Sequence, residues 1–433
     1  MNFNISADHF RFLLNRFRER LWVKPLAVCL ISIGVVFVAK LADGTGMKEW
    51  VPDITQGSVE TLLSIMAASM MVIATFSVAS MVSAYASASS TATPRSFAVV
   101  ISDDASQNAL STFVGAFIFS IVGITAVKNN YFGPAAMFIL FGMTNFVFML
   151  VIVTFVRWVD SIARLGRMGS TINKVEKATT SALKRRRDTP ALCGVPYIES
   201  EQQGEKGMAV FSDRVGYVQH IDMATIQQYA EDAGLRVIVA ALPGTFAAPG
   251  RALAYVRVES ESNQEQSQDH GQSIAESFQI GSDRLFDDDP RFGLVVLSEI
   301  AGRALSPGVN DPGTAINILG TMVRLFDLWS QPSSEDDDNK NKTPEYDRVE
   351  VPAISMRDMF DDAFTVISRD GAGIVEVAIW LQKALHSLSL KDDPEMQDAA
   401  RFYGALALKR ARLALALPED LEAVSKVAEY AKS

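Results

Sequence analysis

The sequence predicts an α-helical integral membrane protein with four transmembrane helices, followed by a C-terminal α+β, mainly helical cytoplasmic domain. Three observations predict it. Apolar residues crowd into four runs of spanning length within the first 158 of 433 positions. Lysine and arginine gather before the first run and after the last, and are sparse in the loops expected on the far side. The acidic excess behind the net charge of −10 falls mostly in the second half of the chain, where strand-like runs give way to helical spacing.

Residues 1–20 read as a basic amphipathic N-terminal segment, with Arg11, Arg16, Arg18 and Arg20 set among Phe10, Phe12, Leu13, Leu14 and Phe17. That pattern suits a short helix on an anionic lipid surface, with Arg16, Arg18 and Arg20 as candidate headgroup contacts. The four-span domain covers 21–158. Span one is 21–41, with Lys24 and Lys40 placed to snorkel at its ends; three further spans follow it and no Ala-x-Ala site ends it, so it reads as an uncleaved anchor. Span two is 61–85, span three 109–127 and span four 135–158. Five basic residues precede or open span one and nine lie between Arg157 and Arg187, against Lys48 and Lys128 in the first and third loops. Both termini are therefore expected in the cytoplasm of a bacterial inner membrane.

Span two carries the most unusual composition. No charge occurs from Thr61 to Pro94, a helical length of roughly 50 Å at about 1.5 Å per residue. Ala74, Ser77, Ser80, Ala84, Ser87 and Thr91 recur at spacings of three and four, and Thr112, Ala116, Ser120 and Gly123 repeat the pattern in span three beside Ser111 and Gly115. Such faces serve close helix packing. They also suit a wet pathway, which would be lined by Ser77, Ser80, Ser83, Thr112 and Ser120.

Helical spacing at Ile162, Leu165, Met168, Ile172, Val175 and Ala178 reads as span four continuing into a basic connector, 159–206, whose Lys184, Arg185, Arg186 and Arg187 are further candidate headgroup contacts. Residues 207–258 alternate in short runs around a helix near 222–232, the pattern of a small α+β module. Residues 259–272 are polar and read as an exposed loop, opening a helical domain over 259–433. Asp289-Pro290 and Asp311-Pro312 are expected to start helices; the acidic run Asp287–Asp289 is a weaker candidate for a cation site. Residues 331–351, with the acidic run Glu335–Asp338, read as a flexible acidic linker, and helices are expected near 354–368, 373–388, 394–416 and 418–431.

Two resemblances add to this. Gly216-Tyr217-Val218, Leu242-Pro243-Gly244-Thr245-Phe246 and Pro249–Leu253 resemble the hairpins of barrel-sandwich domains related to biotinyl and lipoyl carriers, but no Lys occurs from Met208 to Val258, so no covalent cofactor is expected. Over nearly its whole length the chain is similar to bacterial predicted membrane proteins catalogued as domain of unknown function 2254. The likeness rests on Ser90–Gly123 with Pro94-Arg95-Ser96, on Gly216–Asp222 (GYVQHID), and above all on Asp289–Gly293 (DPRFG) followed by Ala304–Pro312 (ALSPGVNDP). It implies four spans and a cytoplasmic domain, and no particular chemistry.

Catalysis finds little support. His9, His220, His270 and His386 are scattered, no nucleophile or phosphate-loop motif is present, and Ser306 and Asp311 lie in a Pro/Gly-punctuated junction. An acidic chain whose basic residues adjoin the bilayer is a poor match for nucleic acid. With only Cys29 and Cys193, neither a disulfide nor a cysteine metal site is expected. Two readings remain: a homo-oligomeric channel or transport-type protein with spans two and three near the pathway, or a membrane-anchored sensor or scaffold whose cytoplasmic domain binds a ligand or protein. The lipid bilayer is the partner common to both.

Overall fold

The computed structural model describes residues 22–44, 52, 54–91, 93–96, 99, 104–164, 167–198, 207–258, 267–332 and 344–432. Contacts divide the chain into two compact units, one of residues 11–171 and one that takes in 172–433.

The first unit holds α1 (Val23–Lys40), α2 (Gln56–Thr91), α3 (Asp104–Lys128) and α4 (Pro134–Arg164). All four are long and apolar enough to cross a membrane. Helix α3 is the centre, because it packs on each of the other three and buries Phe113, Ala116 and Phe119. Its small residues let the neighbours in. A Cβ added at Gly115 would meet Val28 Cγ1 of α1 at 2.3 Å, and one at Gly123 would meet Leu63 Cδ1 of α2 at 3.1 Å. The start of α4 is capped from elsewhere in the chain, since Asp43 accepts from Gly133 N at 2.8 Å and Ala136 N at 3.0 Å. That satisfies donors a helix start leaves open in a medium without water.

Gly115→Leu should therefore wedge α1 away from α3 and destabilise the bundle by about 1–3 kcal/mol, the usual range for overpacking. The readout is the melting temperature of the purified full chain in detergent. Gly34, whose added Cβ would meet nothing within 4 Å, is the control: Gly34→Leu should leave the melt unchanged.

The second unit opens on α5 (Met168–Asp188), a helix separate from α4. Its core is a five-stranded sheet in the order β1 (Gly194–Tyr197), β8 (Tyr346–Pro352), β4 (Leu235–Val239), β6 (Ala252–Val258), β2 (Met208–Phe211). The β1–β8 and β8–β4 pairs are parallel, the others antiparallel. A smaller antiparallel sheet has the order β5 (Phe246–Ala247), β3 (Gly216–Ile221), β7 (Phe278–Gly281). Helices α6 (Met223–Ala233) and α7 (Ser267–Glu276) complete this layer. Ile226, Ala230, Val237, Leu253 and Ile274 are fully enclosed at its heart.

This differs from the sequence reading in three respects. The sheets draw on strands before and after 207–258, so that stretch builds no sheet by itself, and the parallel central strand departs from the barrel-sandwich likeness. Strand β8 falls inside the expected linker, of which 333–343 lie outside the described residues. Asp347, Arg348 and Glu350 mask it in sequence, yet its two neighbours enclose Val349 and Val351, and even Glu350 is buried, near Arg236. Helix α7 begins within the expected loop 259–272.

The helical layer follows the sequence more closely. It consists of α8 (Phe292–Ala304), α9 (Pro312–Trp329), α10 (Met356–Asp370), α11 (Val375–Ser389), α12 (Pro394–Ala414) and α13 (Pro418–Val427). Asp311, Ser355 and Asp393 cap α9, α10 and α12 through their side chains. Phe326 of α9 lies 4.6 Å, centroid to centroid, from Phe360 of α10, and Phe364 completes the cluster. Each such ring contributes roughly 1.5–3 kcal/mol through burial.

Candidate functional site

Helix α5 shows how the second unit comes to enclose a charge. Its buried positions are Thr171, Ile172, Val175, Thr179, Ala182, Leu183 and Arg186, which lie on one helical stripe. Arg186 is the last member of that stripe, so the helix carries it inward while Lys184 and Arg185 face outward.

It borders a cavity of about 360 Å³. One wall is the turn after β4, Leu242–Thr245. A second is the segment Asp288–Arg291 that leads into α8, with Arg284 behind it. A third is Pro352–Ser355, between β8 and α10. Ala240, Leu242, Pro243 and Ile354 supply the apolar part of this lining, and Arg186, Arg284, Asp288, Asp289, Arg291 and Asp358 a larger polar part.

Most of those groups are already matched. Arg284 forks onto Asp289, Nε to Oδ2 at 2.6 Å and a terminal nitrogen to Oδ1 at 3.0 Å. Asp289 Oδ1 also accepts from the backbone of Arg291 and Phe292, each at 3.1 Å. Burial pushes the Asp289 carboxyl up, against the opposing pull of Arg284 and those two N–H donors. Arg291 spans Asp362 and Asp358, with Nε donating to Asp362 at 2.6 Å and a terminal nitrogen to Asp358 at 2.7 Å. Burial likewise raises the Asp362 carboxyl. Asp288 is held by His220, Nδ1 to Oδ2 at 2.7 Å.

Gly244 allows the turn to close on this network. Its φ is +91°, and an added Cβ would stand 2.2 Å from Asp289 Oδ2, so a side chain would be excluded on both counts.

Arg186 is the exception. It is 4% exposed, and none of its three guanidinium nitrogens has a hydrogen-bond partner among the described residues. Burial lowers it to about 10, with the Asp288 carboxylate acting in the opposite sense. The group thus remains a cation at neutral pH. Among the described residues no three His, Cys, Asp or Glu side chains are placed to hold a metal ion.

The residues singled out in sequence are distributed as follows. Arg16, Arg18 and Arg20 lie outside the described residues. Lys184 is exposed, Arg185 donates to the Asp287 carbonyl, and Arg187 reaches the Leu328 carbonyl at 3.1 Å and Asp188 at 3.2 Å. Arg186 is buried within its own unit, because it continues the buried stripe. In the spans, Ser77 and Ser120 are buried, Ser80 and Thr112 half-buried, and Ser83 uncovered. The buried face of α2 is mainly large: Leu63, Met66, Met70 and Met81 share it with Ala74 and Ser77. Ser111, Thr112 and Ser120 each donate to the carbonyl four residues back, at 2.7, 2.9 and 2.7 Å, which satisfies them within α3. Ser77 Oγ has no partner among the described residues. Ser306 bonds the Arg303 carbonyl at 2.7 Å and Asp311 takes the backbone N–H of Thr314 at 3.1 Å, so both belong to the α8–α9 junction. Asp289 takes two backbone N–H groups at the entry to α8, but the helix begins at Phe292 with Arg291 in the cap position, two residues later than expected, and the paired Arg284, the clamp of Arg291 and the partnership of His220 with Asp288 were not foreseen. Two of the phrases that carry the family resemblance, Gly216–Asp222 and Asp289–Gly293, meet here.

Comparison with known proteins agrees with the membrane architecture. The family described as predicted membrane protein (DUF2254) matches residues 18–387. Uncharacterized proteins of Mycobacterium tuberculosis and Mycobacterium bovis are each 27% identical over 130 residues, which is 30% of this chain and 25% of the relative. The match thus spans a quarter of the length of those relatives. No solved structure matches the chain.

Proposed function

The chain belongs to the family of predicted membrane proteins DUF2254, and on that premise we propose that it is a membrane-anchored ligand-binding protein. The four spans hold the second unit at the cytoplasmic face of a bacterial inner membrane, and the cavity beside α5 takes a small molecule. The observation that carries this reading is the cavity itself: about 360 Å³, with apolar side chains such as Leu242, Pro243 and Ile354 on one part of its lining and a larger polar part around Arg186. Its volume falls within the range of small-ligand sites, roughly 300 to 1,000 Å³. Orientation rests on the basic residues that flank the inner ends of the spans. The role is non-catalytic, since the groups around the cavity are tied into ion pairs and helix starts.

A second reading, the homo-oligomeric pathway through spans two and three, is favoured by the unpartnered hydroxyl of Ser77. It is the weaker of the two, because the small face of α3 is taken up by α1 and α2 within one chain. Purified full-length protein decides between them. In liposomes it should leave vesicles tight under voltage, osmotic and pH gradients. In detergent its melting temperature should rise with a low-molecular-mass fraction of cell extract. Flux that Ser80→Trp abolishes without dissociating the complex would return the pathway reading, and a melt indifferent to every such fraction would remove the ligand-binding one.

A further inference from the structure

We propose that the molecule held in this cavity is a small organic oxyanion, a phosphate ester or carboxylate whose anionic head pairs with the Arg186 guanidinium and whose body lies along Leu242, Pro243 and Ile354. The inference rests on the ligand-binding reading and deepens it. Three arginines border the cavity, and two are neutralised. Arg284 is forked onto Asp289, and Arg291 is shared between Asp358 and Asp362. Arg186 is enclosed yet has no acceptor on any guanidinium nitrogen among the described residues. The nearby carboxylate of Asp288 attracts it without a hydrogen bond and is itself engaged by His220.

A buried guanidinium without an acceptor is a strongly unfavourable arrangement, because five N–H donors and a full charge lose water and gain nothing in return. What would relieve it is a planar or tetrahedral group with two adjacent anionic oxygens, the shape the guanidinium fork matches. A bare metal ion or an amine would be repelled. A purely apolar ligand would fill the volume and leave the charge as it is. The cavity is also larger than a free phosphate or acetate requires, and its apolar walls supply a surface for the rest of a metabolite.

The probes are inorganic phosphate and acetate, each added to the full chain in detergent against chloride at matched ionic strength. The melting temperature should rise saturably with at least one of them, by about 5 °C at saturation; which one responds distinguishes phosphate ester from carboxylate. Arg186→Met should melt no lower than the parent, since it removes an unpaired buried charge, and should lose the response. If the variant fails to fold, line broadening on the parent protein, of the phosphorus signal of phosphate and of the methyl proton signal of acetate, with chloride as competitor, decides in its place. No response to either anion beyond that to chloride, or an equal response in Arg186→Met, would overturn the proposal. Stabilisation by a low-molecular-mass extract fraction without any by phosphate or acetate would overturn the oxyanion and leave the ligand-binding reading standing. Absence of both would end the two together.

Discussion

Replacing Asp289 by alanine will destabilise the second unit by about 3–5 kcal/mol, the range found when one partner of a buried ion pair is removed. The side chain is 3% exposed and does two things at once. It neutralises Arg284 through two bonds and takes the first free N–H groups of the segment entering α8. Its loss would leave a guanidinium partly enclosed without a counter-charge and the helix start uncapped. The double variant Arg284→Met, Asp289→Ala should recover a large part of the loss, because removing both charges also removes the orphan. Hydrogen exchange across α8 in the full chain reads the effect locally. Equal protection in the parent and Asp289→Ala would show that the pair contributes nothing to the fold.

Gly293→Val is expected to rank beside it. An added Cβ would stand 1.8 Å from Thr179 Oγ1 and 2.6 Å from Thr179 Cβ, so α8 lies on α5 with no room for a side chain. Overpacking of a rigid contact costs about 1–3 kcal/mol and sometimes more, and a β-branched residue has few rotamers with which to escape. Thr179 is itself buried and bonded to the Val175 carbonyl at 2.7 Å, which limits its retreat. The milder Gly293→Ala should be rescued in part by Thr179→Ala. A double-mutant cycle on the melting temperature of the full chain should show the double variant losing well less than the sum of the single effects. Strict additivity would place the two residues out of contact.

The two cases also show why the site was only half legible in the sequence. The spans were readable because a bilayer requires length and apolarity in a continuous stretch, so span one at 21–41 falls within three residues of α1 at either end. Asp311 was readable as a helix start because a capping residue and the Pro after it are neighbours in sequence. Arg186 was assigned to lipid because its neighbours Lys184, Arg185 and Arg187 are basic; the opposing signal was its position four residues beyond Ala182 on a stripe that runs from Ile172. His220 with Asp288 and Thr179 against Gly293 depend on chain separations that no local pattern encodes, and the Arg284–Asp289 fork, though only five residues apart, follows no regular helix or strand spacing. Strand β8 was hidden for the same reason. A central parallel strand takes its hydrogen bonds from segments more than a hundred residues away, so two buried valines suffice where an edge strand needs a clear alternation.

The size of α2's small-residue face illustrates the reverse error. Ala74 and Ser77 of that face are buried, but Ser80 and Ala84 are half-buried and Ser87 is exposed, while the bulky Leu63, Met66, Met70 and Met81 are enclosed. Small residues permit close approach without requiring it, and the helix turns the face whose bulk fills the space beside α3.

The central claim, that a cavity in the second unit holds a small molecule against Arg186, is tested most directly by an electron cryomicroscopy map of the full chain purified from bacterial membranes with no ligand added. The account predicts density between the Leu242–Thr245 turn and the segment Asp288–Arg291, in contact with the Arg186 guanidinium. A cavity that is empty or closed, with Arg186 paired to Asp288 or turned out to solvent, would contradict it.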